Sequence, residues 1–171
     1  MSKKHQLATQ AVHAGEPHDP SGAHVAPIHQ TSTFTFADAA AVESYGNGET
    51  AGYMYSRGSN PTRQALAAKI AALEGFDYPG SEPVTAEIFG SGMGAVSAVV
   101  LGICSSGDHV VAQRQLYAGT QLFLQTVCPR MGIDVTFVDG TAPSAFAEAV
   151  VPGRTMLVIA ETPSNPRLDL V

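Results

Sequence analysis

An α/β fold built on a mostly parallel sheet is the class this sequence predicts, and three observations predict it. From residue 84 onward, strand-like apolar runs alternate with helix-like stretches, the pattern of βαβ units. The run Thr155-Met-Leu-Val-Ile-Ala160 is almost continuously apolar, as a strand buried on both faces requires. The stretch Val84-Thr-Ala-Glu-Ile-Phe-Gly-Ser-Gly-Met-Gly-Ala-Val-Ser-Ala-Val-Val100 reads as strand, glycine-rich turn and apolar helix, and the rest of the chain is organised around it.

The bulk numbers narrow the class further. The 171 residues suffice for a domain with a real core. With 44% hydrophobic and 14% charged residues, the chain is not expected to be disordered as a whole. A net charge of −6 supplies no basic face, which argues against nucleic-acid or anionic-membrane partners. His5, His13, His18, His24 and His29 crowd the first thirty residues, but no cysteine or carboxylate joins them at metal spacing, so no metal site is expected. Cys104 and Cys128 suggest no disulfide framework, which points to a reducing, cytoplasmic compartment. Met1-Ser-Lys-Lys-His-Gln is basic but leads into no apolar run, unlike a signal peptide. Apolar stretches of about ten residues are too short to span a bilayer.

Taken in order, residues 1–60 form an arm. Pro17, Pro20, Pro27 and several glycines interrupt helices, while Thr31-Ser-Thr-Phe-Thr-Phe36 suits an extended segment. Phe34, Phe36 and Tyr45 imply that the arm lies on a surface, a partner subunit being one candidate. Asn60 and Pro61 then suit the cap and first position of a helix running to about Glu74, with Leu66, Ile70 and Leu73 along one stripe. Tyr55 and Arg57 fall in the loop before it. A guanidinium fork beside a tyrosine hydroxyl suits a phosphate, and equally an arginine in that loop simply meets solvent.

Next comes the central unit. A helix start leaves N–H groups without partners and is partly positive. Glycines admit a ligand to the bare backbone, so Gly90-Ser-Gly-Met-Gly94 describes a cup for a phosphate or other dianion. Such turns also form where strand and helix merely pack closely, and the stretch alone leaves both readings open. Beyond it we expect a strand at His109–Ala112, a helix from Tyr117 to about Met131, a strand at Asp134–Val138, a short helix at Ser144–Val150 and the strand at Thr155–Ala160. Ligands of such sheets bind beyond the carboxyl ends of strands. Ser91-Gly92, Gln113 to Tyr117, Asp139-Gly140 and Glu161-Thr-Pro-Ser-Asn-Pro166 all fall at such ends.

Here the chain resembles the Cys/Met-metabolism family of pyridoxal-phosphate (PLP) enzymes, which includes cystathionine γ-synthase, cystathionine and methionine lyases and O-acylhomoserine sulfhydrylases. The resemblance rests on Tyr55-Ser-Arg57 with Ser59-Asn-Pro-Thr62, Ser91-Gly-Met-Gly94, Leu116-Tyr117 with Thr120, and Glu161-Thr-Pro-Ser-Asn-Pro166. Thr9-Gln-Ala-Val-His-Ala-Gly15 and Pro27-Ile-His-Gln-Thr-Ser32 look like the family's opening. It implies a fold type I (aspartate aminotransferase-like) large domain, with residues 1–60 as arm and intersubunit loop and 61–171 as the first part of the PLP-binding domain.

It also implies roles. Ser91, Gly92 and Met93 would form the phosphate cup. Tyr55 and Arg57 would reach the same phosphate in a neighbouring subunit's site, within a homo-oligomer of tight dimers paired as a tetramer. Tyr117 would stack on the pyridine ring and help in proton transfer, and Asn165 would hydrogen-bond the ring hydroxyl. The substrate would be a sulfur amino acid or activated homoserine undergoing β/γ-elimination or γ-replacement.

The family also needs a Schiff-base lysine and an aspartate on the pyridine nitrogen. None of Lys3, Lys4 and Lys69 matches the lysine motif, so the chain is expected to be an N-terminal fragment, inactive alone. Gly119 stands where methionine γ-lyases usually carry cysteine, which disfavours that member. Two other readings are kept: a catalytically dead assembly or regulatory module pairing with a full-length homologue, and an unrelated nucleotide-binding α/β domain. Against the latter, His109-Val-Val-Ala112 leads into Gln113-Arg114 with no ribose-binding acid.

Overall fold

Helices α1 (Leu7–His13), α2 (Ala39–Gly46) and α3 (Pro61–Glu74) belong to the first of two compact units, Met1–Ile88. The second, Phe89–Val171, holds α4 (Gly92–Ile103), β1 (His109–Gln113), α5 (Ala118–Arg130), β2 (Asp134–Val138), α6 (Pro143–Ala149) and β3 (Thr155–Ile159). The computed structural model describes residues 6–16 and 21–171. Lys3, Lys4, His5, Pro17, His18 and Pro20 lie outside the described residues. Among those described, no helix is long and apolar enough to cross a membrane.

In the first unit, α3 begins and ends where its sequence says. The Asn60 side chain accepts from Thr62 N at 2.9 Å, and Pro61 takes a first-turn position that needs no N–H partner. The stripe of Leu66 and Ile70 does not become a buried face: the two are 46% and 38% exposed, and no residue of α3 is buried. The side that packs is the small-residue side, against α1. There Gly15, at φ +73°, crosses so closely that a Cβ would stand 2.2 Å from the Ala65 carbonyl oxygen. Lys69 Nζ donates to the Val12 carbonyl at 2.7 Å, closing the same contact. This helix, expected with the large domain, therefore packs with the arm.

The arm segment around Thr31–Phe36 is extended and paired. Thr33 bridges Tyr55 in antiparallel fashion, with Ser56 N to Ser32 O at 2.8 Å and Phe34 N to Met54 O at 3.1 Å. Its rings find partners within the unit: Phe34 against Tyr53 at 5.3 Å and Phe36 against Tyr45 at 5.4 Å between centroids.

The second unit is a three-stranded parallel sheet in the order β2-β1-β3. Central β1 is buried at all five positions. Val110 and Ala112 join Val100, Cys104, Leu116, Leu124, Cys128 and Ile133 in one core. Val111, also buried, points to the opposite face by strand alternation, and α6 packs on β1 and β2. The outer strands alternate exposed and half-buried positions instead, apart from buried Val138 at the end of β2, so burial at every position holds for β1 alone. The strand expected at residues 84–89 does not form: that segment has no ladder partner among the described residues. Its sequence favours a strand, but a strand exists only when another supplies its hydrogen bonds.

At the amino edge of the sheet, His109 is buried and spans all three strands. Its Nδ1 lies 2.7 Å from Thr155 Oγ1 and its Nε2 2.9 Å from Thr136 Oγ1. Thr155 Oγ1 also accepts from Val151 N at 2.8 Å.

Candidate functional site

The carboxyl edge of the sheet gathers the second unit's predicted residues. A five-residue link runs from the end of α4 to the start of β1, so α4 runs back along the sheet and its first turn faces that edge. Ser91 caps the turn, its Oγ accepting from Gly94 N at 3.0 Å. Among the described residues nothing accepts from the N–H groups of Gly92 and Met93. Ser91 and Gly92 are exposed, and a Cβ at Gly90 or Gly92 would meet nothing within 4 Å. Two free donors, a hydroxyl and open space at the positive end of a helix are what a phosphate requires.

Thr120 Oγ1 lies 3.6 Å from Met93 Sδ, so the first turn of α5 borders the cup. Tyr117 stands at the N-cap of α5 with its ring 51% exposed. Asn165 lies in the loop after β3 with an exposed side chain, and both the Thr162–Pro163 and Asn165–Pro166 bonds are cis. The loop is built on Ser164, buried, whose backbone carbonyl accepts from Leu168 N at 2.7 Å and whose Oγ accepts from Asp169 N at 3.1 Å.

Two residues of this edge have roles that local sequence did not disclose. Gln113, fully buried, ends β1 and binds the backbone of Glu161 twice: Oε1 accepts from Glu161 N at 2.8 Å and Nε2 donates to Glu161 O at 3.0 Å. Glu161 Oε2 accepts from Tyr117 N at 2.8 Å. The signals in the sequence were their position at strand ends and, for Glu161, its place at the head of the Glu161–Pro166 motif.

After β2, Asp139 Oδ1 accepts from the N–H of Thr141 at 3.0 Å and from its hydroxyl at 2.8 Å. These bonds, aided by Arg167 and Arg114, hold its carboxyl below the usual range. The core thiols are driven the other way. Burial, then the charge of Asp108, raises Cys104, and burial with Cys104 raises Cys128. Both are free and buried, and such thiols are poor nucleophiles.

Tyr55 and Arg57 belong to the first unit. The Arg57 guanidinium lies 5.3 Å from the centre of the Tyr55 ring, itself 45% exposed. Arg63, from α3, holds their loop by donating to the carbonyls of Gly58 and Arg57. Sequence reasoning passed over Arg63, which looks like any charged residue in the first turn of a helix. The pair is thus presented together, ring and cation stacked, and among the described residues the guanidinium edge donates to none. A hollow of about 520 Å³ between α1, α3 and the 78–84 loop carries less chemistry, since alanine and glycine make up half of its lining.

Comparison with known proteins adds four findings. The family model for Cys/Met metabolism PLP-dependent enzymes matches residues 8–171. A "Probable cystathionine gamma-synthase" of Herpetosiphon aurantiacus is 40% identical over 96% of this chain and 46% of its own length. An L-methionine gamma-lyase of Fusobacterium nucleatum subsp. polymorphum is 40% identical over 99% of this chain and 41% of its own. Among solved structures, a candidate O-acetylhomoserine (thiol)-lyase of Campylobacter jejuni superposes with a TM-score of 0.84 at 25% identity, over 98% of this chain and 39% of that one, and it carries a pyridoxyl-lysine monophosphate. The chain thus spans less than half the length of the relatives it matches.

Proposed function

From the premise that the chain belongs to the family of Cys/Met metabolism PLP-dependent enzymes, we propose that it supplies the phosphate cup and one ring wall of a pyridoxal-phosphate site. The enzyme would break or replace C–S or C–O bonds of sulfur amino acids or activated homoserines. The observation that carries this reading is the pair of unpartnered N–H groups of Gly92 and Met93 beside the Ser91 hydroxyl, bordered by the first turn of α5.

When bound, the cofactor acts as an electron sink for carbanions at Cα and then Cβ, so a β- or γ-substituent can leave. This chain's residues bind and orient. Ser91 donates its hydroxyl, and Gly92 and Met93 their N–H groups, to the phosphate. Tyr117 presents its exposed ring face to the pyridine and its hydroxyl for proton transfer, and the Asn165 amide donates to the ring hydroxyl. Tyr55 and Arg57 serve the phosphate of a neighbouring subunit in a homo-oligomer. Lys69 is occupied on Val12, so the proposal assigns the covalent lysine to the length of the relatives that this chain does not span. Two buried free thiols fit a cytoplasmic setting.

Thermal unfolding with PLP, NAD and ATP tests the cup. PLP should raise the midpoint, and Ser91→Ala should reduce that rise. Stabilisation by a nucleotide alone would defeat the proposal.

A further inference from the structure

Tyr117 has no side-chain cap at the start of α5, and its backbone N–H is held by a carboxylate from a different loop, Glu161. That carboxylate is not left to find its own place. Gln113 grips both the N–H and the C=O of Glu161, and its Nε2 also donates to the Gln115 carbonyl in the turn leading to α5. One buried carboxamide therefore joins the ends of β1 and β3 and the entry to α5. Only a group with a donor and an acceptor side by side can read both backbone atoms of one residue, so leucine or glutamate could not replace it. Burying such a group is costly unless every polar atom is used; packing alone would have been served by an apolar side chain. The Glu161 carboxylate also faces the positive end of α5, which strengthens its hold.

We propose that Gln113 and Glu161 are positioning residues for Tyr117, fixing through this relay the place at which its ring meets the cofactor. The proposal rests on the reading that Tyr117 stacks on the PLP ring. The relay sets the backbone of Tyr117. Its ring lies over Gly119, in space where a Cβ would stand 2.5 Å from Cε1.

The test begins without cofactor. Amide exchange at Tyr117 is followed in the ligand-free protein for wild type, Glu161→Ala, Glu161→Gln and Gln113→Leu. Losing a hydrogen bond to a charged acceptor should speed exchange at this amide by about tenfold or more in Glu161→Ala. Glu161→Gln keeps an acceptor oxygen and should restore most of the protection. Gln113→Leu should match Glu161→Ala. Because Gln113 is buried, the Glu161 pair carries the test if Gln113→Leu does not fold. Dissociation constants for PLP, measured by equilibrium dialysis, should then rise in the order wild type, Glu161→Gln, Glu161→Ala, with Tyr117→Ala weaker still. Unchanged exchange at Tyr117 in Glu161→Ala would overturn the relay. If exchange quickens and Tyr117→Ala loses PLP affinity while Glu161→Ala keeps it, the relay only builds the fold and the positioning role fails. If exchange quickens and even Tyr117→Ala binds PLP normally, the stacking assignment of Tyr117 falls, and the positioning role with it.

Discussion

The ring of Tyr117 fills the space that a side chain at Gly119 would need, its Cε1 2.5 Å from where a Cβ would stand. The ring is half exposed and can swing away, so the clash is cheap for the fold. Gly119→Ala should therefore leave stability unchanged or raise it by about 0.5–1 kcal/mol, the usual gain from removing a helical glycine. The displaced ring should weaken PLP binding several-fold. Urea unfolding and equilibrium dialysis on the same variant check the two opposite signs.

Gly15 is the reverse case. Its φ of +73° and the rigid backbone of α3 at 2.2 Å leave a new Cβ nowhere to go. Gly15→Ala should cost about 2 kcal/mol or more, and it should free α1. Faster amide exchange confined to residues 7–14 is the expected signature. Lys69→Met, which removes only an exposed hydrogen bond to Val12, should cost less than about 1 kcal/mol.

Asn60 serves two elements at once. It caps α3 through Thr62 N and donates to the His29 carbonyl at 3.0 Å. Asn60→Ala should cost about 1–2 kcal/mol, more than Asn60→Ser, which keeps the cap and loses the tie to the arm. Denaturant midpoints of the two variants separate cap from tie.

The pH limits of stability follow from the displaced titrations. Asp139 has a folded-state pKa depressed first by the Thr141 bonds. Its contribution is present above the unfolded value of about 3.9 and is lost as pH falls through the folded value. Cys104 and Cys128 are raised, chiefly by burial. The unfolded chain ionises them first, so their contribution holds below about pH 8.5 and fades as pH rises through the folded values. Urea midpoints against pH should show both limbs. Asp139→Asn should flatten the acid one, and Cys104→Ala with Cys128→Ala the alkaline one.

Much of this architecture was legible because its signals are local. Asn60-Pro61 marks a helix start by chemistry within one turn, and α5 and the three parallel strands lie within a residue or two of their predicted limits. What was hidden depends on distant partners. Residues 84–89 have strand composition, but a ladder needs a second chain segment. Leu66 and Ile70 form a proper stripe, yet α1 packs on the alanine side because small residues let backbones approach. The grip of Gln113 on Glu161 joins positions 48 apart in sequence, and nothing near either residue announces the other. At the candidate site, the donors of Gly92 and Met93 could be inferred from the glycine-rich turn, whereas the support beneath Tyr117 could not.

The contacts of His109 also reach past the ring itself. Val151 N–H already donates to Thr155 Oγ1, so the threonine's own proton is free to point at His109 Nδ1. Each ring nitrogen of His109 thus meets a threonine hydroxyl, a group able to donate or accept, on the strand to either side. The sheet's amino edge is thus sewn crosswise by polar contacts running from Val151 through Thr155 and His109 to Thr136, a seam that no hydrocarbon of the same shape could make.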